Sequence, residues 1–596
     1  MNERSVEVGS NGRRLGLALS GGGFRASFFH LGVLSRMAEM GLLRHVEAIS
    51  TVSGGSIIGA LYYLRLRELL MTVEDAQITD GHYVDMVARV ERDFLAAVQR
   101  NLRMRTFVNP LLNMKMALPS YSRSDRIGEI YDSYIYRAVF GKNHPKPIEM
   151  RELKIYPKND SRGNQFNPTQ AGHNDNRRAK VPILLINSTT LNTGHNWRFL
   201  ASRMGEQPHT SAMADDIDKN TRLRRGEYDK IVTQQQDFPL GIAVAASAGV
   251  PGLFPPLSVS GMYADLTVQL VDGGVYDNLG IAGLEDPIFP CSDFVISDAS
   301  GQMQDVDYPD TNAVSVLGRV MNVLMDRVRE EMVDRLEETY TNQHVAFFHL
   351  TRGLEGHDKP YLQADGAPAT ARVRTPATTP EDFGVASRVQ HLLSRVRTDL
   401  DSFTDTEAFA LMADGYLMSE PDLQRIAAHF DTRPLEPVPW RFLKVRALLA
   451  EPAGDKRFLK QLDVASQKFL KPFRLGFTPK LLGVTLIALA VLAVYVGALW
   501  KISDLLFPGW LSGLIAGLEG CLLDTGQAMQ ILLAIIAVAA GEWVGRTFKV
   551  LEFLRYPAKG VTGLFTRFLL PALGAFPVYV YLKTLDRYFV GQGRLS

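Results

Sequence analysis

Short, nearly unbroken apolar runs alternate with helix-period stretches through the front half of this chain. Residues 15–19, 48–52, 182–187, 267–271 and 294–297 read as buried strands, because each short apolar run is closed by glycine or polar residues. Between the first two runs, residues 26–40 place Phe28, Leu31, Leu34 and Ala38 on one helical face, and Gly41 supplies a stop. Residues 57–70 repeat the pattern with Ile57, Ile58, Leu61 and Leu64. Further along, 240–256 predicts a helix of small residues ending at proline, 314–340 a long amphipathic helix, 345–350 a strand and 385–419 more helix. Strands alternating with helices in this way predict an α/β fold. Polar stretches at 156–180, 205–230 and 352–383 predict loop insertions.

The pattern changes toward the C-terminus. Residues 481–500 carry no charge, and a helix of that length reaches about 30 Å, the depth of a bilayer core. A second span is expected at 528–544, with Glu542 near its end. Residues 564–582 suit either a third span or an interfacial segment, since Arg567, Pro571 and Pro577 interrupt them. Lys468, Lys471, Arg474 and Lys480 precede the first span, and Arg546, Lys549, Arg555 and Lys559 follow the second. Basic residues favour the cytoplasmic side, so a hairpin in the cytoplasmic membrane is expected, with the front of the chain facing the cytoplasm. The polar residues 1–14 fit no secretory signal. The expected organisation is 1–420 as a catalytic α/β domain, 421–478 as a linker and basic juxtamembrane region, and 479–596 as a helical transmembrane region.

Charge and cysteine usage narrow the classes. A net charge of +1 over 596 residues offers nucleic acid no electrostatic footprint. The two cysteines, Cys291 and Cys521, form no disulfide framework, and no Cys/His set has zinc spacing. No metal or cofactor is expected.

The candidate chemistry lies in two glycine-rich turns, Ser20-Gly21-Gly22-Gly23-Phe24-Arg25 and Thr51-Val52-Ser53-Gly54-Gly55. A strand running through glycines into a helix exposes backbone N–H groups at the positive end of the helix, where an oxyanion is held best. Consecutive glycines do not fit the dinucleotide fingerprint, and no Gly-Lys-Ser/Thr follows for a P-loop. Ser53 stands at the second bend as a nucleophile. Asp272, in Val271-Asp272-Gly273-Gly274, ends a strand where a general base is held on rigid backbone. Asp277 is the runner-up base, although capping the next helix explains it. Tight packing for the glycines and an Asx-turn for Asp272 are the plainer readings of each motif alone. Ser247 reads as a core or capping residue, and His30 as a packed or surface histidine.

Together and in this order, the three motifs resemble the patatin-like phospholipases; Ser20 to Arg25 is also similar to the cytosolic phospholipase A2 enzymes. The resemblance implies a three-layer α/β/α domain with a Ser53–Asp272 dyad. Backbone N–H groups of Gly21, Gly22, Gly23 and Gly54 would meet the oxyanion, with Arg25 adding positive charge or ordering the loop. The implied activity is hydrolysis of acyl esters in phospholipids or other lipids at a membrane, of phospholipase A or lysophospholipase type. The same dyad with an alcohol acceptor makes a transacylase, and a catalytically inactive membrane scaffold or regulator is the alternative from another class. Thr51 departs from the pattern, because it stands where the elbow usually has glycine. Lipid headgroup and oligomeric state leave no signature in the chain.

Overall fold

The computed structural model describes residues 12–506, 568 and 570–595, apart from positions 119, 141–143, 145, 209–215, 287–289, 301, 302, 304, 469 and 477. The chain divides into two compact units. One comprises Met1–Ala97, Ile127–Asp399 and Thr406–Ser466; the other comprises Val98–Arg126, Leu400–Asp405 and Gln467–Ser596.

The first unit is built on a mixed sheet. Strands β1 (Leu15–Leu19), β2 (Val46–Val52) and β3 (Ile183–Thr190) run parallel, as do β9 (Asp293–Asp298) and β10 (Val345–His349) on the other side of β1. Every residue of β1 and β3 is buried, which is why β1 and the first half of β3 read as continuous apolar runs rather than as alternations. Beyond β3 the sheet turns antiparallel through β4 (Asn196–Phe199), β5 (Arg203–Glu206) and β6 (Gly226–Glu227). Helix α1 (Gly23–Glu39) connects β1 to β2, and α2 (Gly54–Thr72) follows β2. The hairpin of β7 (Leu257–Tyr263) and β8 (Leu266–Asp272) joins β3 through β8.

That last pairing positions the candidate site. Val52, the end of β2, lies beside Asn187 of β3, and Asp272, the end of the oppositely directed β8, lies beside Ser188. Strand β4 occupies the other edge of β3 at these residues. Strands β2 and β8 therefore meet head to head along one edge of β3, bringing their C-terminal ends together.

Two expectations are corrected here. The helix of small residues is Leu240–Ser247 and stops well before Pro256, because the carbonyls of Ser247 and Gly249 accept the N–H groups of Gly273 and Asp272 instead of continuing a helix. Residues 257–263 then form β7. Within the expected loop 352–383, Gly356–Asp358 and Arg372–Arg374 pair as a small antiparallel ribbon.

In the second unit the helix Pro479–Leu506 contains Pro479–Ala498, a 20-residue segment of mean hydropathy 2.5. Among the described residues it alone is long and apolar enough to cross a membrane, by length and composition. The expected second span, 528–544, lies outside the described residues. The described part of 564–582 is not one continuous span, since Leu570–Leu573 and Ala575–Lys583 are separate helices broken at Gly574. Asp586 in this unit accepts hydrogen bonds from Asn101 (2.8 Å) and Ser402 (2.6 Å).

Candidate active site

Ser53 sits between the end of β2 and the first residue of α2 with φ 50° and ψ −114°. A positive φ is strained for a residue with a Cβ and costs of order 1–3 kcal/mol. It also turns the side chain out of the strand-to-helix bend, as a nucleophile elbow requires. Serine at a helix N-cap ordinarily spends its hydroxyl on the helix, but Ser53 makes no such capping bond.

The two turns interlock. A Cβ on Gly54 would fall 2.1 Å from the carbonyl oxygen of Gly23, so glycine is required there by close approach. Gly22 adopts φ +135°, which side-chain-bearing residues rarely reach. A Cβ on Gly21 would lie 3.2 Å from the Cβ of Ser53, which places the triple-glycine turn against the serine. The N–H of Gly21 is already donated to the carbonyl of Asn278 (3.0 Å), so this amide is not available as the sequence suggested. Among the described residues, the N–H groups of Gly22, Gly23 and Gly54 have no protein partner. They are the orphan donors of two helix starts.

Arg25 is buried, and its guanidinium donates to the carbonyls of Ala299 (3.1 Å), Val396 (2.8 Å) and Ser300. Burial lowers its pKa to about 10, against the pull of nearby Asp298. With its donors spent on three carbonyls, Arg25 orders the chain around the glycine turn. His30 is similarly occupied: Nδ1 is 2.7 Å from Ser297 Oγ, and Nε2 is 3.0 Å from the Ser20 carbonyl. Burial lowers its pKa to about 4, so it is neutral at pH 7.

Asp272 is 3% exposed. Its Oδ1 accepts the N–H of Gly274 at 2.8 Å, while Oδ2 is buried with no partner in full hydrogen-bond geometry. Burial raises its pKa to about 7, opposed by the Gly274 N–H and by hydrogen bonding from the Ser53 side chain. The Ser53 side chain is thus near enough to favour the carboxylate, without a hydrogen bond of full geometry between the two. Asp277 has a different task. Its two oxygens accept the N–H groups of Leu279, Gly280 and Ala282 at 2.8–3.0 Å, which fixes the start of the next helix.

Two contributions escape sequence reasoning. Ser247 Oγ accepts the backbone N–H of Ser53 (3.0 Å) and lies 2.8 Å from Ser56 Oγ, which donates to Thr51 Oγ1 (2.9 Å); Thr51 in turn donates to the Leu185 carbonyl (3.0 Å). Thr51 is therefore part of a buried hydroxyl chain, and its methyl group fits against Gly59, where a Cβ would fall 2.6 Å away. The only sequence signal was a serine and a threonine at fully buried positions, which is not specific. Tyr131 is the second. Its hydroxyl is buried without a partner, and its pKa is raised by burial first and then by the charge of Asp272.

Residues 17–284 match the family model described as patatin-like phospholipase. Among solved structures, human GIVD cytosolic phospholipase A2 in complex with methyl gamma-linolenyl fluorophosphonate and terbium chloride aligns at 12% identity and TM-score 0.35. That alignment covers 70% of this chain and 59% of the human one. VipD from Legionella pneumophila aligns at 14% identity and TM-score 0.26, covering 77% of this chain and 74% of its own. No curated protein matches the sequence.

Proposed function

Residues 17–284 match the patatin-like phospholipase family model, and on that premise we propose that the protein is a serine hydrolase of lipid acyl esters working through Ser53 and Asp272. The observation that carries this reading is a strained, uncapped Ser53 flanked by unpartnered amides and a buried carboxyl with one open oxygen.

In the proposed reaction, Asp272 Oδ2 takes the proton of Ser53 as Oγ attacks the ester carbonyl carbon. A pKa near 7 makes the carboxylate a far better base than an ordinary aspartate. The carbonyl oxygen becomes an oxyanion held by the N–H groups of Gly22, Gly23 and Gly54, and each such donor contributes about 3 kcal/mol to lowering the barrier. Collapse expels the alcohol, which leaves with the proton from Asp272. Water, deprotonated by the same carboxylate, then attacks the acyl-enzyme, releasing the fatty acid and restoring Ser53. The domain is proposed as the usual α/β/α sandwich of its family.

A membrane surface as the place of work is supported by the helix Ala313–Thr339, whose Leu317, Val320, Met321 and Leu324 lie exposed along one face. The apolar helix at 479–498 supports it separately. A fluorophosphonate probe and a fluorescent phospholipid ester test the proposal. Wild type should be labelled and release fatty acid, and Ser53→Ala should do neither while remaining folded. Unlabelled, folded wild type with no esterase activity would refute it.

A further inference from the structure

At the edge of the sheet opposite Ser53, where the parallel strands begin, three side chains from distant parts of the sequence close on a single oxygen. Asp293, the first residue of β9, is fully buried. Its Oδ1 lies 2.6 Å from Nδ1 of His429 and 3.1 Å from Nδ1 of His344. All three ligand atoms are within 4.8 Å of one another. His344 stands just before β10, where its carbonyl accepts the N–H of Phe294, and His429 follows the helix Glu420–Ala427.

We propose that Asp293, His344 and His429 bind one divalent transition-metal ion, of which zinc is the best fit. Two imidazoles and one carboxylate suit zinc and its neighbours in the first row, whereas calcium and magnesium take oxygen donors. Tetrahedral zinc with bonds of about 2.0–2.2 Å holds adjacent donor atoms roughly 3.3–3.4 Å apart. The His344–Asp293 separation is already close to that. His429 needs to retreat by less than ~1 Å, a small side-chain adjustment.

The surroundings favour a ligand over a simple hydrogen-bonded cluster. Ser292 Oγ donates to Oδ2 of Asp293 at 2.8 Å, which fixes the carboxylate so that Oδ1 faces both rings. Such outer partners orient metal ligands. The imidazole of His344 is 34% exposed, leaving an entry path and room for a water as fourth ligand. One group opposes the ion: the Arg13 guanidinium, 3.5 Å from the same Oδ1. Its side chain is 43% exposed, so at this long distance it can turn out to solvent when a divalent cation binds. Far from the serine along the strands, the ion ties the segment carrying His429 to the sheet; it takes no part in the ester chemistry.

The test uses full-length protein stripped with a chelator, dialysed against zinc and analysed for metal content, with cobalt(II) as a spectroscopic substitute. Wild type should retain one zinc per chain and give the intense ligand-field absorption of tetrahedral cobalt. Both signals should vanish in His429→Ala. They should also vanish in His344→Gln, which keeps a donor to Asp293 and so preserves the fold. Zinc should raise the thermal midpoint of wild type and leave both variants unmoved. Failure of wild type to retain zinc, or equal retention in the two variants, overturns the proposal and leaves a histidine–carboxylate hydrogen-bond cluster.

Discussion

Replacing Asp272 by asparagine should make the protein inert and more stable at the same time. In the unfolded chain this carboxyl ionises near its ordinary value of 3.8, and in the fold burial raises that to about 7. Between those values the native state holds a proton that the unfolded chain has released, so native stability falls as pH rises. The loss is absent below the unfolded value and complete above the folded one. Each pKa unit is worth 1.36 kcal/mol, so a shift of about three units costs at most about 4 kcal/mol once Asp272 is ionised. Asparagine is isosteric, its Oδ1 keeps the Gly274 N–H, and an uncharged amide nitrogen replaces the unpartnered Oδ2. We therefore expect Asp272→Asn to exceed wild type by about 2–4 kcal/mol near pH 8, with the gap closing toward pH 4.

Thermal unfolding across that pH range is the assay. With an unfolding entropy of about 2 cal/mol/K per residue, the shift is on the order of 2–4 °C in the midpoint of the unit carrying the sheet. Ester hydrolysis followed in parallel should rise through about pH 7 in wild type as the base ionises, and be lost in the variant. If Asp272→Asn is no more stable than wild type in alkaline buffer, or the gap does not narrow in acid, the carboxylate is not held at an energetic cost. If turnover survives, the base lies elsewhere.

Two other substitutions probe the support of the serine. Ser247→Ala removes the acceptor of the Ser53 N–H; leaving that buried donor unpaired costs about 1–3 kcal/mol of stability, and loosening the elbow should lower kcat roughly 10- to 100-fold with KM little changed. Unaltered kcat would remove Ser247 from the positioning machinery. Thr51→Gly restores the residue usual at an elbow yet should destabilise by about 2–3 kcal/mol, because it empties the slot against Gly59, removes the hydroxyl donor to the Leu185 carbonyl and leaves the Ser56 hydroxyl with Ser247 alone. Chemical denaturation measures it, and a variant as stable as wild type would show that the turn, not the hydroxyl chain, governs this position.

What the chain disclosed in advance was local. Both glycine turns and most of the strands could be read because short apolar runs and glycine clusters carry their meaning within a few residues. The meeting of Ser53 with Asp272 is not local, since it follows from β8 entering the sheet against β3 in line with β2. The same holds for the Gly21 amide, which looked free until Asn278, far along the chain, claimed it. Strand β7 was hidden because the small-residue run before it looked like one long helix. Thr51 read as a defect because the residue that accommodates it, Gly59, lies one strand-to-helix turn away. The cluster of Asp293, His344 and His429 has no spacing to recognise, as its members come from three separated segments.

One element reconciles the strain and the burial that this site requires. Two unfavourable features, a positive φ at Ser53 and an ionisable carboxyl away from water, persist only where the surrounding chain over-determines them. The end of the helix Leu240–Ser247 does this for both. Ser247 Oγ holds the Ser53 N–H, the Ser247 carbonyl holds the Gly273 N–H (3.1 Å), and the Gly249 carbonyl holds the Asp272 N–H (3.0 Å). A single helix end therefore grips both Ser53 and Asp272, through the Ser247 hydroxyl on one side and two backbone carbonyls on the other. Its small residues serve that grip: Gly241 lets Gly128 approach so closely that a Cβ would fall 2.2 Å from the Gly128 carbonyl, pinning the helix from behind. Bulk added at Gly241 should therefore disturb the distance between Ser53 and Asp272 without touching either one.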